Sequence, residues 1–230
     1  MALDILKSLL PNRPVPTRIR CGPFRGARIV MNPRDSLRKI IGIYEHELNP
    51  WIEQALRRVT RVLDVGANDG YFTFGSAAAF RRMGKTAEIV GYEPDAGQVQ
   101  KLRESIAAQG RSDIRFEIVQ AFVGRQVGEG VTTLDALPAA DRRNTLIKID
   151  VEGAEVEVLE GTRSWIDGSN LFLIEVHEER FLEQINKLFA ARAHTLVQIN
   201  QRPVPLLGRE ARGEKNWWLV SELQGGGKNR

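Results

Sequence analysis

From Arg61 onward, short apolar runs alternate with longer stretches of helical character, and this restricts the chain more than any other feature. The runs lie at 62–65, 88–92, 114–119, 145–149 and 171–176. Stretches with helical spacing fill 71–83, 96–109, 154–166 and 179–192, while the connection after Val119 is less clearly helical. An apolar run followed by a helix and another apolar run can bury its surface only as a parallel sheet with helices on both faces. Two final runs, at 194–199 and 217–220, have no long helix between them and fit an antiparallel pair at the sheet edge.

Residues 1–60 follow a different pattern. A short amphipathic helix is expected at the start, followed by a proline-rich stretch with Pro11, Pro14 and Pro16. Residues 17–20 and 27–31 flank Gly22-Pro23-Phe24-Arg25-Gly26, which suits a hairpin. Leu37, Ile40, Ile41 and Tyr44 recur at helical spacing, and Trp51, Ile52, Ala55 and Leu56 continue it past Pro50. We expect an N-terminal helix–hairpin–helix cap over 1–60, packed on a main domain over 61–230. A chain of 230 residues is long enough to bury a full core in such a domain.

The first run of the main domain ends in Asp64-Val65-Gly66-Ala67-Asn68-Asp69-Gly70. In doubly wound sheets, ligands collect beyond the carboxyl ends of the strands, near the point where strand order reverses. Gly66 and Gly70 permit a tight turn and a close backbone approach to a ligand. The middle glycine of the dinucleotide fingerprint G-x-G-x-x-G is missing, which disfavours a pyrophosphate and with it an NAD-dependent oxidoreductase. Asp64 and Asp69 instead suit a ligand bearing an ammonium and a sulfonium. Glu93 ends the next run, where an acidic side chain can accept hydrogen bonds from both ribose hydroxyls. Together these residues point to S-adenosylmethionine (SAM), held by Asp64, Gly66, Ala67, Asn68, Asp69, Gly70 and Glu93.

The loop with Tyr71-Phe72-Thr73 resembles the first motif of the FkbM family of SAM-dependent methyltransferases. The block Leu146-Ile147-Lys148-Ile149-Asp150-Val151-Glu152-Gly153-Ala154-Glu155-Val156-Glu157-Val158-Leu159-Glu160-Gly161 is similar to that family's most distinctive stretch. Residues 131–137 upstream and Ile174-Glu175-Val176-His177 downstream resemble its flanking pieces in the same order. The resemblance implies a class I methyltransferase fold: a Rossmann-like, seven-stranded, mostly parallel sheet with an antiparallel edge strand. It also implies methylation of a hydroxyl oxygen on a sugar, glycolipid or polyketide-type secondary metabolite. Gln120-Ala121 stands where relatives often carry Asn-Ala, so Gln120 is expected at the adenine edge.

Methyl transfer to oxygen is an in-line displacement and depends mainly on positioning. The hydroxyl must also lose its proton, so a base is expected beside the methyl group. Asp150 ends the fourth run and faces the cleft, touching cofactor as well as acceptor. Glu175 and His177 end the fifth, two residues apart and therefore on one face. His177 titrates near neutrality and is a natural base, but Asp150 and Glu175 stay candidates. Glu155 reads equally as a charge stabilised at a helix N-terminus. Lys148, inside the strand, can pair with a carboxylate or reach the substrate. Asp150, Glu152, Glu175 and His177 also offer an oxygen-rich set for Mg²⁺; spacing alone does not establish it, and no metal is assigned.

Charge bears on the acceptor. The net charge is +4, yet residues 1–60 carry eleven Lys/Arg against five Asp/Glu, a local +6. That imbalance suits an acidic substrate, a membrane surface or nucleic acid, or is a solvated surface. Nucleic acid is disfavoured, because Asp150 and Glu152 stand where DNA amino-methylating enzymes place a prolyl-aromatic motif, and carboxylates there repel phosphate. A small-molecule or glycan hydroxyl is the expected partner; a nucleic-acid methyltransferase and a non-catalytic SAM-binding protein are the alternatives. The single cysteine, Cys21, permits no intrachain disulfide. No apolar run reaches the ~18–20 residues of a membrane span, and the start makes a poor signal peptide, so the cytoplasm is expected.

Overall fold

A computed structural model describes residues 9–109, 113–204 and 216–223. Residues 1–8 of the expected first helix and residues 205–215, between the two final runs, lie outside these residues.

Strands β1 (Val15–Arg18) and β2 (Arg28–Met31) form the expected antiparallel hairpin, with Val15 opposite Met31. A single helical turn, α1 (Leu37–Ile40), follows, and then α2 (Asn49–Arg58), which Pro50 opens from its first turn. Trp51, Ile52, Ala55 and Leu56 form the buried stripe of α2. The indole N–H of Trp51 donates to the Ser221 carbonyl at 2.9 Å, tying this helix to the last strand.

The main sheet comprises β3 (Arg61–Val65), β4 (Ala87–Tyr92), β5 (Ile114–Val119), β8 (Thr145–Ile149), β9 (Leu171–Val176), β10 (Leu196–Ile199) and β11 (Trp217–Ser221). Between β5 and β8 lie two short strands, β6 (Phe122–Val123) and β7 (Val131–Thr132), and 3₁₀ turns, with no α-helix among the described residues. Helices α3 (Tyr71–Arg82), α4 (Ala96–Ala107), α5 (Glu155–Glu160) and α6 (Glu179–Ala190) fill the other expected crossovers. Helix α5 is shorter than its sequence period suggests. It stops at Gly161, where an added Cβ would lie 2.0 Å from the Gly124 carbonyl.

Strand order is β10-β11-β9-β8-β3-β4-β5. The order reverses beside β3, which places the Asp64–Gly70 loop at the switch point. The antiparallel strand is β11, and it does not form the rim: it lies between β9 and β10 and pairs antiparallel with both. The edge strand β10 is short, with Val197 and Gln198 exposed. A strand buried on both sides must be more apolar, and Trp218, Leu219 and Val220 of β11 meet that demand.

One core forms on each face of the sheet. Val62, Leu146, Leu173, Trp218 and Val220 pack with residues of 19–59, including Ile19, Phe24, Ile29, Trp51 and Leu56. Leu63, Val65, Ile147, Ile149, Ile174 and Leu219 point the other way, toward Val158, Ile185 and Phe189. The N-terminal residues are thus part of one face's core. Phe24 makes the closest approach: a Cβ on Gly75 of α3 would fall 2.3 Å from its ring. No helix among the described residues is long and apolar enough to cross a membrane.

Candidate active site

Strand register gathers the charged residues at one place. Asp64 pairs with Lys148, and Lys148 with Leu173. Because side chains alternate, Asp150 and Glu175 sit one rung further on, and Trp218 lies opposite Glu175. His177 and Asn216 follow beyond the strand ends. All of these residues lie on the face that the N-terminal residues cover.

Lys148 is the hub. Its Nζ donates to the Gly66 carbonyl at 2.8 Å and lies 3.0 Å from Asp150 Oδ2 and 3.3 Å from Asp64 Oδ1. Burial opposes its charge, but Asp150 and Asp64 outweigh that and raise its pKa, so the ammonium persists. Asp64 is fully buried beneath the loop and accepts from Thr73 Oγ1 at 2.6 Å. Burial raises its pKa, with Lys148 and Thr73 working against the shift. The charge of Asp64, expected to meet a cationic ligand, faces Lys148, which also braces the loop through the Gly66 carbonyl. Asp150 has a partly exposed carboxylate. Burial resists its ionisation, and the adjoining Lys148 overcomes that and depresses its pKa.

His177 sits between two carboxylates. Its Nδ1 lies 2.5 Å from Glu155 Oε1, and its Nε2 lies 3.8 Å from Asp150 Oδ1. Glu155, fully buried at the head of α5, also accepts from the His177 and Gly153 backbone N–H groups at 3.3 Å each. The hydrogen bond that His177 donates to Glu155 is the largest cause raising the His177 pKa, against the effect of burial. The sequence left Glu155 evenly balanced between a helix-terminal charge and a part in the site, and in the structure it meets His177. No local signal marks it, since its partner stands 22 residues downstream and meets it only through the β8–α5–β9 crossover. Glu175 is buried and accepts from Asn216 Nδ2 at 2.6 Å.

Asp150, Glu175 and His177 each bring one ligand atom within 4.8 Å of the others, compact enough for a metal ion. Glu152, expected to complete that set, is exposed and lines the neighbouring cleft instead.

Two cavities open at the strand ends, and Gly66, Asn68 and Asp150 line both. The larger, about 480 Å³, is bounded by Tyr92, Glu93, Gln98, Phe122 and Val151. Glu93 is nearly buried there, its two oxygens accepting from the Asn68 N–H at 2.8 Å and the Asp95 N–H at 3.0 Å. Gln120 does not reach this cleft. It is exposed past the end of β5, and its neighbours Ala121 and Phe122 form the wall instead. Phe122 leaves 62% of its surface uncovered.

The smaller cavity, about 70 Å³, lies between the glycine loop and the N-terminal residues Lys39, Tyr44 and Ile52. Ala67 and Asp69 line it from the loop. Gly66 and Gly70 hold φ of +79° and +80°, and a Cβ on Gly66 would lie 2.0 Å from the Asp150 carbonyl. The loop is therefore pressed against the end of β8 as only glycine permits.

Residues 108–196 match the family model described as the methyltransferase FkbM domain. The matched span holds the Asp150–Gly161 block, Glu175 and His177, while the glycine loop and Glu93 lie before it. No curated protein sequence matches the chain. Among solved structures, a methyltransferase FkbM from Methylobacillus flagellatus KT superposes with a TM-score of 0.53 at 20% identity. That likeness covers 72% of this chain and 44% of that one, so the chain spans less than half of that protein's length. A precorrin-6y C5,15-methyltransferase from Geobacter metallireducens GS-15 gives 0.50 at 12% identity, covering 75% and 86%. At such identities the structures speak for a Rossmann-like class I methyltransferase fold, and residues 108–196 are similar to the methyltransferase FkbM domain.

Proposed function

We propose that the chain is a SAM-dependent O-methyltransferase acting on a hydroxyl of a small molecule, a sugar or glycolipid, or a secondary metabolite. The observation that carries this reading is Asp150 at the junction of the two cavities, with His177 behind it and Glu155 holding the imidazole. The residues present suit SAM. Each Glu93 oxygen uses one backbone N–H and keeps a lone-pair direction for a ribose hydroxyl. The larger cleft accommodates a nucleoside, and Phe122 offers an apolar wall to a base. SAM would supply a methyl group on a positively charged sulfur, next to Asp150.

The chain's own residues do the rest. Neutral His177 donates Nδ1–H to Glu155, which leaves the lone pair on Nε2 turned toward Asp150. The 3.8 Å between Nε2 and Oδ1 is too long for a hydrogen bond, so both atoms can engage an incoming hydroxyl. Asp150, anchored by Lys148, orients that hydroxyl, and His177 Nε2 takes its proton as the oxygen attacks. The arrangement follows the logic of a base oriented by a buried carboxylate.

The test is transfer of labelled methyl from SAM to hydroxylated acceptors, fractionated from lysate and identified by mass. His177→Gln should lower turnover by about 10²-fold or more and leave the SAM dissociation constant unchanged. Equal turnover by the variant would remove His177 as the base.

A further inference from the structure

A buried indole N–H normally finds an acceptor. Trp51 donates to the Ser221 carbonyl and Trp165 to the Leu134 carbonyl, each at 2.9 Å. Trp218 departs from that pattern. It is 1% exposed, yet its N–H has no partner among the described residues. It lines the smaller cavity together with Lys148 and Asp150. A donor shut away from water with nothing to meet it carries the full cost of its lost hydration, which a ligand oxygen would recover.

Asn216 offers the opposite polarity beside it. Its Nδ2 donates to Glu175 Oε1 at 2.6 Å, and Glu175 stands across the ladder from Trp218. That bond fixes which way the amide turns, so Oδ1 is directed away from Glu175. Oδ1 is buried and has no partner among the described residues. Asn216 and Trp218, two positions apart, both flank Glu175 and therefore share one side of the sheet. Glu175 in turn joins them to the site of attack, since it, Asp150 and His177 each place one atom within 4.8 Å of the others.

An alcohol answers both groups, because a hydroxyl donates one hydrogen and accepts through two lone pairs. A phosphate or carboxylate has no hydrogen for Asn216 and would meet the carboxylates of Glu175 and Asp150. An ammonium cannot accept from Trp218. We propose that Trp218 and Asn216 read a second hydroxyl, on the carbon next to the one that is methylated, so that the substrate is a vicinal diol such as a sugar ring or polyol carries. This rests on the hydroxyl-methylation reading above and narrows its substrate. Ile52 and Leu173 line the same cavity and give the diol's carbon skeleton an apolar wall.

Propane-1,2-diol and propan-2-ol differ only in the second hydroxyl and serve as probes on the ¹⁵N-labelled full chain. The Trp218 indole N–H signal, assigned through its own backbone resonances, should move on addition of the diol. Half-saturation should come at about 10-fold lower concentration than with propan-2-ol, the scale of one hydrogen bond. Asn216→Ala, at a half-buried position, should bring that ratio close to one. A Trp218 signal that answers both alcohols alike overturns the proposal, as does one that moves with neither. An Asn216→Ala protein that keeps the full preference overturns it too. The readout needs no turnover, so its failure in a protein that still methylates an alcohol removes the diol subsite and leaves the function standing. A diol-selective shift in a protein that methylates no alcohol refutes the function reading, and with it the part of this site in methylation.

Discussion

Replacing Glu155 by Gln removes one charge from the base and almost nothing from its shape. Glu155 Oε1 accepts all three of its hydrogen bonds, from His177 Nδ1 at 2.5 Å and from two backbone N–H groups at 3.3 Å, while Oε2 has no partner among the described residues. A Gln amide can keep its oxygen on the same donors, so the fold should survive. A hydrogen bond to a charged group contributes about 1.5–3 kcal/mol, and this one also fixes the tautomer that leaves Nε2 free. A neutral amide accepts that bond more weakly, and the loosened imidazole should lower turnover by about 10²-fold, at the low end of what a misplaced base costs.

The pH dependence gives the sign. Glu155 is the main reason that His177 titrates above its ordinary 6.5. Wild-type turnover should therefore rise with pH through that elevated value, as His177 loses its proton. In Glu155→Gln the pKa falls, so the variant's rising limb moves to lower pH. The ratio of wild-type to variant turnover should grow as pH increases. Stability should move the opposite way. A raised folded pKa contributes stability that is fully present below 6.5 and is lost as pH rises through the folded value. The stability gap between the proteins should accordingly be widest in acid. Steady-state rates from about pH 5.5 to 9, with denaturant unfolding at the same points, measure both. An unshifted rising limb with unchanged turnover would refute the Glu155–His177 assignment.

Two further outcomes follow from the same geometry. Glu93→Ala should weaken SAM binding by about 10²-fold, from loss of charge-assisted acceptors for the ribose, and calorimetry showing unchanged affinity would place the ribose elsewhere. Lys148→Met leaves Asp64 and Asp150 without their shared cation and should cost about 3–5 kcal/mol at neutral pH. The two carboxyls would then both titrate above their unfolded values, so lowering the pH toward about 5 should recover part of that loss in thermal melts.

The sequence readings that held are those resting on neighbouring residues. The alternation after Arg61, the hairpin around 22–26, and the glycine turn that leads into α3 each depend on contacts within a few positions, where period and backbone preference act directly. That Glu93 would face the cleft at the strand ends follows from the same local logic, since a residue at a strand end beside the switch point has little choice of direction. Asp64 looked available because it closes β3 next to a loop. Only the pairing of β3 with β8 shows that Lys148 claims it. Gln120 was placed by analogy with relatives, and the turn after β5 sends it to solvent.

By itself, the sequence determined the layered parallel sheet, the loop that marks its ligand edge, and the acidic and imidazole side chains available there. Tertiary structure alone decided which of those groups work together. It set Glu155 against His177, placed β11 inside β10, and brought Lys39 against Asp69 across 30 positions of chain. The physical reason is the same in each case. Hydrophobic period and turn chemistry are local, whereas an ion pair or an oriented base depends on strand register and on how distant segments cover the sheet, and these emerge only when the core closes.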